Sequence, residues 1–175
     1  MRAKTKRERA IAIPHAGVGM TRYQLYRKAW GRVESATEAG YYLEAITLLE
    51  SILTDRLESR ASYLTGRNEG YQNLGPLIHT LQQHESIADF RPIIDRIDAW
   101  RERRNEALHE IVKFQRGERP TWEEKVGPLP QIVREGKKVL CAFDAVDKRE
   151  RRNNGARPAA TEPAAFGDAR HEQVT

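Results

Sequence analysis

Hydrophobic residues recur at three- and four-residue spacing along most of the chain from Thr21 onward. This spacing places apolar side chains on one face of an α-helix. The widest apolar face runs from Tyr41 to Leu64, which predicts a helix that is either central or shared with a second subunit. Further patterns predict helices that begin at Thr21, Leu77 and Leu129. Because no segment shows the alternation of a β-strand, the sequence predicts an all-α bundle of about five helices.

The remaining helix is predicted between Asp89 and Phe114, with Gly117 and Pro120 after its end. It carries one apolar stripe, which is interrupted in its middle by Arg104. An arginine in a core-facing stripe is costly unless it is paired or lines a cleft. This helix is therefore the strongest candidate to carry the functional site. The apolar members of the stripe are Ile93, Ile97, Trp100, Leu108 and Ile111.

The two ends of the chain differ in composition from the helical part. We expect a flexible basic arm at residues 1–20, a helical domain at 21–147 and a basic, then Ala/Pro-rich, disordered tail at 148–175. The net charge of +5 divides into +4 for residues 1–9, +2 for 148–175 and −1 for the rest. The folded part is thus not a strongly basic nucleic-acid binder, and any such site in it must be a local patch.

Several classes of protein are disfavoured by the remaining chemistry. Cys141 is the only cysteine, so no intrachain disulfide forms and a reducing, cytoplasmic location is expected. No apolar run approaches the ~20 residues that a membrane span needs, so no membrane association is expected. His79 and His84 lack metal-ligand spacing, and we expect them to be surface residues. The sequence predicts no metal site and no cofactor.

Three side chains of the Asp89–Phe114 helix form the candidate site. Asn105 and His109 lie four residues apart, on the same flank as Arg104. An imidazole can transfer protons near neutral pH, and a guanidinium binds phosphate oxygens. This set suits metal-free RNA cleavage through attack of a 2′-oxygen on the adjacent phosphate. Arg101 is expected to assist phosphate binding, whereas Arg103 should point to solvent on the opposite side.

The residues alone also permit a structural interpretation. In that interpretation Arg104 forms an ion pair with Glu44, Glu50 or Asp55 of the preceding long helix, and its position in the stripe has no catalytic meaning.

The run from Arg104 to His109, Arg-Asn-Glu-Ala-Leu-His, resembles the Arg-polar-x-x-x-His signature of the HEPN superfamily of helical-bundle proteins. The segment from Gly40 to Glu50 and the order of the predicted helices are also similar to that family. The resemblance covers residues 21–147. It implies a homodimer in which the motif helices of two subunits face each other and form one RNA-cleaving site. Arg104 would contact the scissile phosphate, His109 would act as acid and base, and Asn105 takes the polar position.

The resemblance also implies a biological setting. Many such proteins are bacterial toxins or phage-defence ribonucleases, often encoded beside a neutralising partner. Toxins that are silenced by a nucleotidyltransferase carry a tyrosine two residues after the histidine, where this chain has Ile111. A different antitoxin or regulatory protein encoded nearby, or a defence system without one, therefore fits better. The alternative function is a non-catalytic module of the same kind that binds nucleotide or RNA or mediates dimerisation.

Overall fold

The computed structural model describes residues 18–67, 72–109, 111–114 and 116–155. Within these residues the chain forms six α-helices and one short 3-10 helix, and no strand. This confirms the predicted all-α bundle, with one helix more than the five expected. The helices are α1 (Val18–Glu38), α2 (Tyr42–Thr65), α3 (Leu74–His84), α4 (Arg91–His109), α5 (Trp122–Val126) and α6 (Leu129–Gly155), with the 3-10 turn at Ala88–Phe90.

Helix α2 is the centre of the bundle. It packs against α1, α3, α4 and α6, which explains why its apolar face is so wide. Ala45, Leu49, Leu53 and Leu57 are almost completely buried along this face. Burying side chains of this size provides most of the stabilisation of such a bundle. The prediction that α2 is central is therefore confirmed.

The ends of several elements differ from the sequence-based prediction. Helix α1 begins at Val18, three residues before Thr21, and α6 continues past residue 147 to Gly155. Most of the predicted arm, residues 1–17, and the tail from 156 onward lie outside the described residues. Within the described part, no helix is long and apolar enough to cross a membrane.

Helix α4 ends at His109, earlier than the predicted end at Phe114. Ile111 and Val112 form a turn instead, and the side chains of Val112 and Phe114 are 76% and 65% exposed. A further helical turn would bury little apolar surface there, so nothing offsets the entropy of ordering it. His109 is consequently the last residue of α4, and its side chain is exposed.

Helix α4 is held in place by α6, which runs antiparallel to it. The indole Nε1 of Trp100 donates a buried hydrogen bond of 2.8 Å to the carbonyl oxygen of Ile132. Gly136 lies directly against this indole, and any larger residue would collide with it. At the other end, the rings of Phe90 and Phe143 pack 5.3 Å apart. These contacts fix the position and rotation of α4, and with them the direction in which its polar residues point.

The end of α3 is fixed to α2 by a buried ion pair. Arg60 and Glu85 form two hydrogen bonds of 2.7 and 3.0 Å, and their side chains are only 4% and 0% exposed. The guanidinium of Arg60 also lies over the ring of Phe90, 4.4 Å from its centroid. Glu85 accepts a further hydrogen bond from the backbone N–H of Ile87. This cluster fixes the connection between α3 and α4.

A second polar cluster connects α1, α2 and α6. The Tyr26 hydroxyl donates a 2.9 Å hydrogen bond to Asp144, and Arg56 pairs with the same carboxylate at 3.0 Å. The Arg56 guanidinium also covers the Tyr26 ring at 4.2 Å. Burial, followed by the charge and hydrogen bond of Asp144, raises the pKa of Tyr26 to about 12. The neutral phenol of Tyr26 therefore helps to attach α1 to α6 through its hydrogen bond to Asp144.

Two elements show why the sequence-based boundaries were incomplete. Helix α5 is not among the predicted helices, although Thr121 and Glu124 form a capping box, with each side chain bonded to the other residue's backbone N–H. Helix α3 begins at Leu74 and not at Leu77, because Pro76 is tolerated within a first helical turn. The earlier start of α3 brings its first turn into the wall of a cleft.

Candidate functional site

A cleft of about 570 Å³ lies where the middle of α2, the start of α3 and the end of α4 meet. The four predicted site residues, Arg101, Arg104, Asn105 and His109, all line it. They occupy one side of the last three turns of α4, since they follow the three- and four-residue spacing of a helix face. The sequence had placed these residues on one flank of a helix, and the structure gives that flank a concave surface.

Arg104 is the most enclosed of the four, with 7% of its surface exposed. One terminal nitrogen, Nη2, makes a very close contact with the carboxylate of Glu50 on α2. The other, Nη1, donates a 2.7 Å hydrogen bond to Oδ1 of Asn105. Its Nε is buried and has no hydrogen-bond partner among the described residues. Arg104 therefore forms the ion pair that the structural interpretation predicted, and its partner is Glu50, one of the three acids named there. It also lines a cleft.

The other site residues are more accessible. Asn105 is half-buried, and His109 is exposed at the end of α4, where its imidazole makes no hydrogen bond to a described residue. Arg101 is half-buried; its Nε donates a 2.7 Å hydrogen bond to Asp98, and Glu102 lies 3.6 Å away. A guanidinium held in place at the rim and an exposed imidazole leave room for a ligand between them.

The opposite wall of the cleft is formed by the N-terminal turn of α3. Asn73, Leu74, Gly75 and Pro76 line it. Asn73 is the N-cap, but its side chain makes no capping hydrogen bond. The first backbone N–H groups of a helix have no partner within it, and the helix dipole gives this end partial positive charge. Sequence reasoning missed this wall, although an Asn before an apolar residue and a Pro in the first turn are both signals of a helix start.

Residues that the sequence placed outside the site are found elsewhere. Arg103 is exposed, as expected, and its guanidinium also pairs with Glu135 of α6 at 2.6 Å. The neighbouring α6 supplies a carboxylate that periodicity along α4 cannot reveal. His79 and His84 are exposed on α3, as expected. Partial desolvation of its thiol and the nearby charge of Asp144 raise the pKa of Cys141, which lies at the surface; the thiol therefore stays protonated, which disfavours a nucleophilic role.

Within the described residues, no three His, Cys, Asp or Glu side chains come close enough together to hold a metal ion. Comparison with protein-family models, with curated proteins and with solved structures finds no match for this chain. Inferences about function consequently depend on the chemistry of the cleft and on the sequence motif.

Proposed function

We propose that this protein is a metal-independent endoribonuclease of the HEPN type. The observation that carries the proposal is that Arg101, Arg104, Asn105 and His109 line one cleft with the positive end of α3. Two guanidinium groups, a helix N-terminus and an imidazole favour a phosphate ligand that is close to a proton donor and acceptor. The substrate class that uses both features is RNA, because its 2′-hydroxyl lies next to a phosphate.

In the proposed reaction, the 2′-oxygen of the substrate attacks the neighbouring phosphorus and the bond to the 5′-oxygen breaks. One His109 removes the proton from the 2′-hydroxyl, and a second returns a proton to the leaving 5′-oxygen. Arg104 stabilises the negative charge on the phosphoryl oxygens. Asn105, which already accepts a hydrogen bond from Arg104, holds the guanidinium in position, and Arg101 binds a phosphate. The products are a 2′,3′-cyclic phosphate and a 5′-hydroxyl.

The need for two imidazoles is the reason for proposing a homodimer with a composite site. The segment that follows His109 supports this part of the proposal, since Val112 and Phe114 are 76% and 65% exposed. Exposed apolar groups that adjoin one another can form the kind of patch that marks an interface with another chain. A second copy placed against this end of α4 would cover them and bring the two His109 side chains towards each other.

We further propose that the protein acts in the cytoplasm as a toxin or phage-defence effector under the control of a partner encoded nearby. Induction of the wild type in a bacterial host should arrest growth, and His109→Ala should not. Co-expression of the neighbouring gene should relieve the arrest if that gene encodes the antitoxin.

The alternative is a non-catalytic module, in which the Arg104–Glu50 pair only stabilises the bundle. The burial of Arg104 favours this alternative, because a catalytic arginine must reach its phosphate. The two functions differ in a simple measurement. A non-catalytic module binds RNA or nucleotide without forming products, and His109→Ala then behaves like the wild type.

The decisive experiment incubates purified protein with a labelled RNA in the presence of EDTA. We expect fragments that end in 2′,3′-cyclic phosphate, with His109→Ala slower by about 10²–10⁴-fold. Arg104→Lys, which keeps the charge but not the planar fork, should also lose most of the activity. His84→Ala, which removes an exposed histidine from α3, is the matched control and should be fully active. Cleavage that requires a divalent metal, or that persists in His109→Ala, would refute the mechanism.

A further inference from the structure

The Arg104–Glu50 pair has a consequence for how a phosphate enters the cleft. Nη2 of Arg104 contacts Glu50 and Nη1 contacts Asn105, while the remaining nitrogen, Nε, is buried. A phosphate bound bidentately by a guanidinium needs two parallel N–H groups. Each terminal nitrogen carries two N–H groups and has one of them engaged, while Nε is inaccessible. A phosphate that binds Arg104 in this way therefore either displaces one of the two partners or binds directly beside it.

Glu50 is the partner whose displacement matters more. Its carboxylate carries the same sign of charge as a phosphate, and it lines the same cleft as Arg104. Its side chain is 27% exposed, so it can turn towards water without leaving a buried charge behind, whereas that of Arg104 is 8% exposed and cannot. Asn105 is neutral and adds no repulsion to an incoming anion.

We propose that Glu50 is an internal competitor of the substrate phosphate for Arg104. The carboxylate occupies the guanidinium in the free protein, and RNA binding exchanges it for a phosphodiester. This inference depends on the proposed function for the identity of the ligand, but the exchange itself concerns only anion binding. Its effect is selective: a single weakly bound anion does not displace the carboxylate, whereas a polyanion that also contacts Arg101 does.

The inference predicts that removing the carboxylate strengthens anion binding. Glu50→Gln keeps the size of the side chain and an oxygen that can accept from Arg104, but it removes the competing charge. The probe is a short RNA that carries 2′-O-methyl groups throughout, which binds but cannot be cleaved. We expect Glu50→Gln to bind it about tenfold more tightly than the wild type, which corresponds to about 1.4 kcal/mol.

The matched control is Glu44→Gln. Glu44 is also on α2 and also pairs with an arginine, Arg32, at 2.6 Å, but outside the cleft. It is six residues from Glu50, about 9 Å along the helix. At physiological salt, screening therefore weakens the electrostatic effect of the Glu44 carboxylate on an anion in the cleft. We expect less than about a twofold change in affinity from this variant.

A second variant covers the case in which Glu50→Gln does not fold. Glu50→Asp keeps the charge and withdraws the carboxylate from Arg104 by one carbon–carbon bond, and it should bind the probe more tightly than the wild type by a smaller factor. Equal or weaker binding by every folded Glu50 variant would overturn the inference, as would an equal gain in Glu44→Gln. Its failure is distinct from failure of the proposed function, in which the wild type releases no products from a cleavable RNA.

Discussion

Gly136 is the position at which a single methyl group should have the largest effect on this fold. A Cβ at this position would lie 2.8 Å from Nε1 of Trp100 and 3.0 Å from its Cζ2. Trp100 is completely buried and its Nε1 donates to the carbonyl of Ile132, so the indole has no free space into which to move. Gly136→Ala should therefore push α4 away from α6 and break this hydrogen bond.

The magnitude follows from three contributions. Forcing an extra methyl group into a packed core costs about 1–3 kcal/mol. Leaving the buried indole N–H of Trp100 without its acceptor costs about 1–3 kcal/mol. Alanine in a helix interior returns about 1 kcal/mol relative to glycine. With mid-range values, Gly136→Ala lowers the free energy of unfolding by about 3 kcal/mol, which corresponds to a fall in Tm of roughly 10 °C for a domain of this size.

Gly31→Ala provides the matched control. Gly31 also lies inside a helix, α1, but a Cβ there meets no atom within 4 Å. This variant should be more stable than the wild type by about 0.5–1 kcal/mol, because only the helix propensity changes. Urea denaturation followed by circular dichroism gives both values. If Gly136→Ala were as stable as Gly31→Ala, the reasoning about the Trp100 contact would be wrong.

Two further predictions concern the polar clusters. Glu85→Ala leaves the buried Arg60 without its partner and should lower the free energy of unfolding by about 3–5 kcal/mol, measured by urea denaturation. Arg149→Ala, which removes one member of a half-exposed pair, should lower it by less than about 1 kcal/mol. Similar losses in the two variants would contradict the difference in burial between the two pairs. Because the pKa of Tyr26 is raised to about 12, its contribution to stability is present below the unfolded pKa near 10 and is lost as pH rises through 12. Ultraviolet titration should show a tyrosine that ionises near pH 12, and Asp144→Asn should lower its pKa. An unchanged curve in that variant would exclude the carboxylate as a cause.

The helical faces could be predicted from the sequence, but the contacts between them could not. The period of apolar residues placed Ile93, Ile97 and Trp100 on a buried face, and all three are buried. The same pattern marked Arg104 as an exception that needed either a partner or a cleft. Which acid pairs with it depends on how α2 and α4 are aligned, and the sequence left three candidates. The alignment is set by packing of the kind seen between Trp100 and Gly136, which leaves no local signal.

The extent of the site was also beyond the reach of periodicity. Its wall at the start of α3 comes from Asn73 to Pro76, more than twenty residues before Arg104 in the chain. The apolar period predicted that the stripe of α4 continues through Ile111, whereas the helix ends at His109. That end depends on how much apolar surface a further turn would bury, which the period does not reveal. The motif residues could thus be identified from the sequence, whereas the concave surface that gathers them depends on long-range packing.

The attachment of α4 to α6 also determines when, during synthesis, the cleft takes its final shape. Residues 50–109 supply every group that lines the cleft, and they leave the ribosome before α6 does. The acceptor for Trp100 is on Ile132, so α4 acquires its final position only after α6 has been synthesised and has docked. During synthesis, the cleft therefore takes its final shape only after a helix that supplies none of its lining residues has been made.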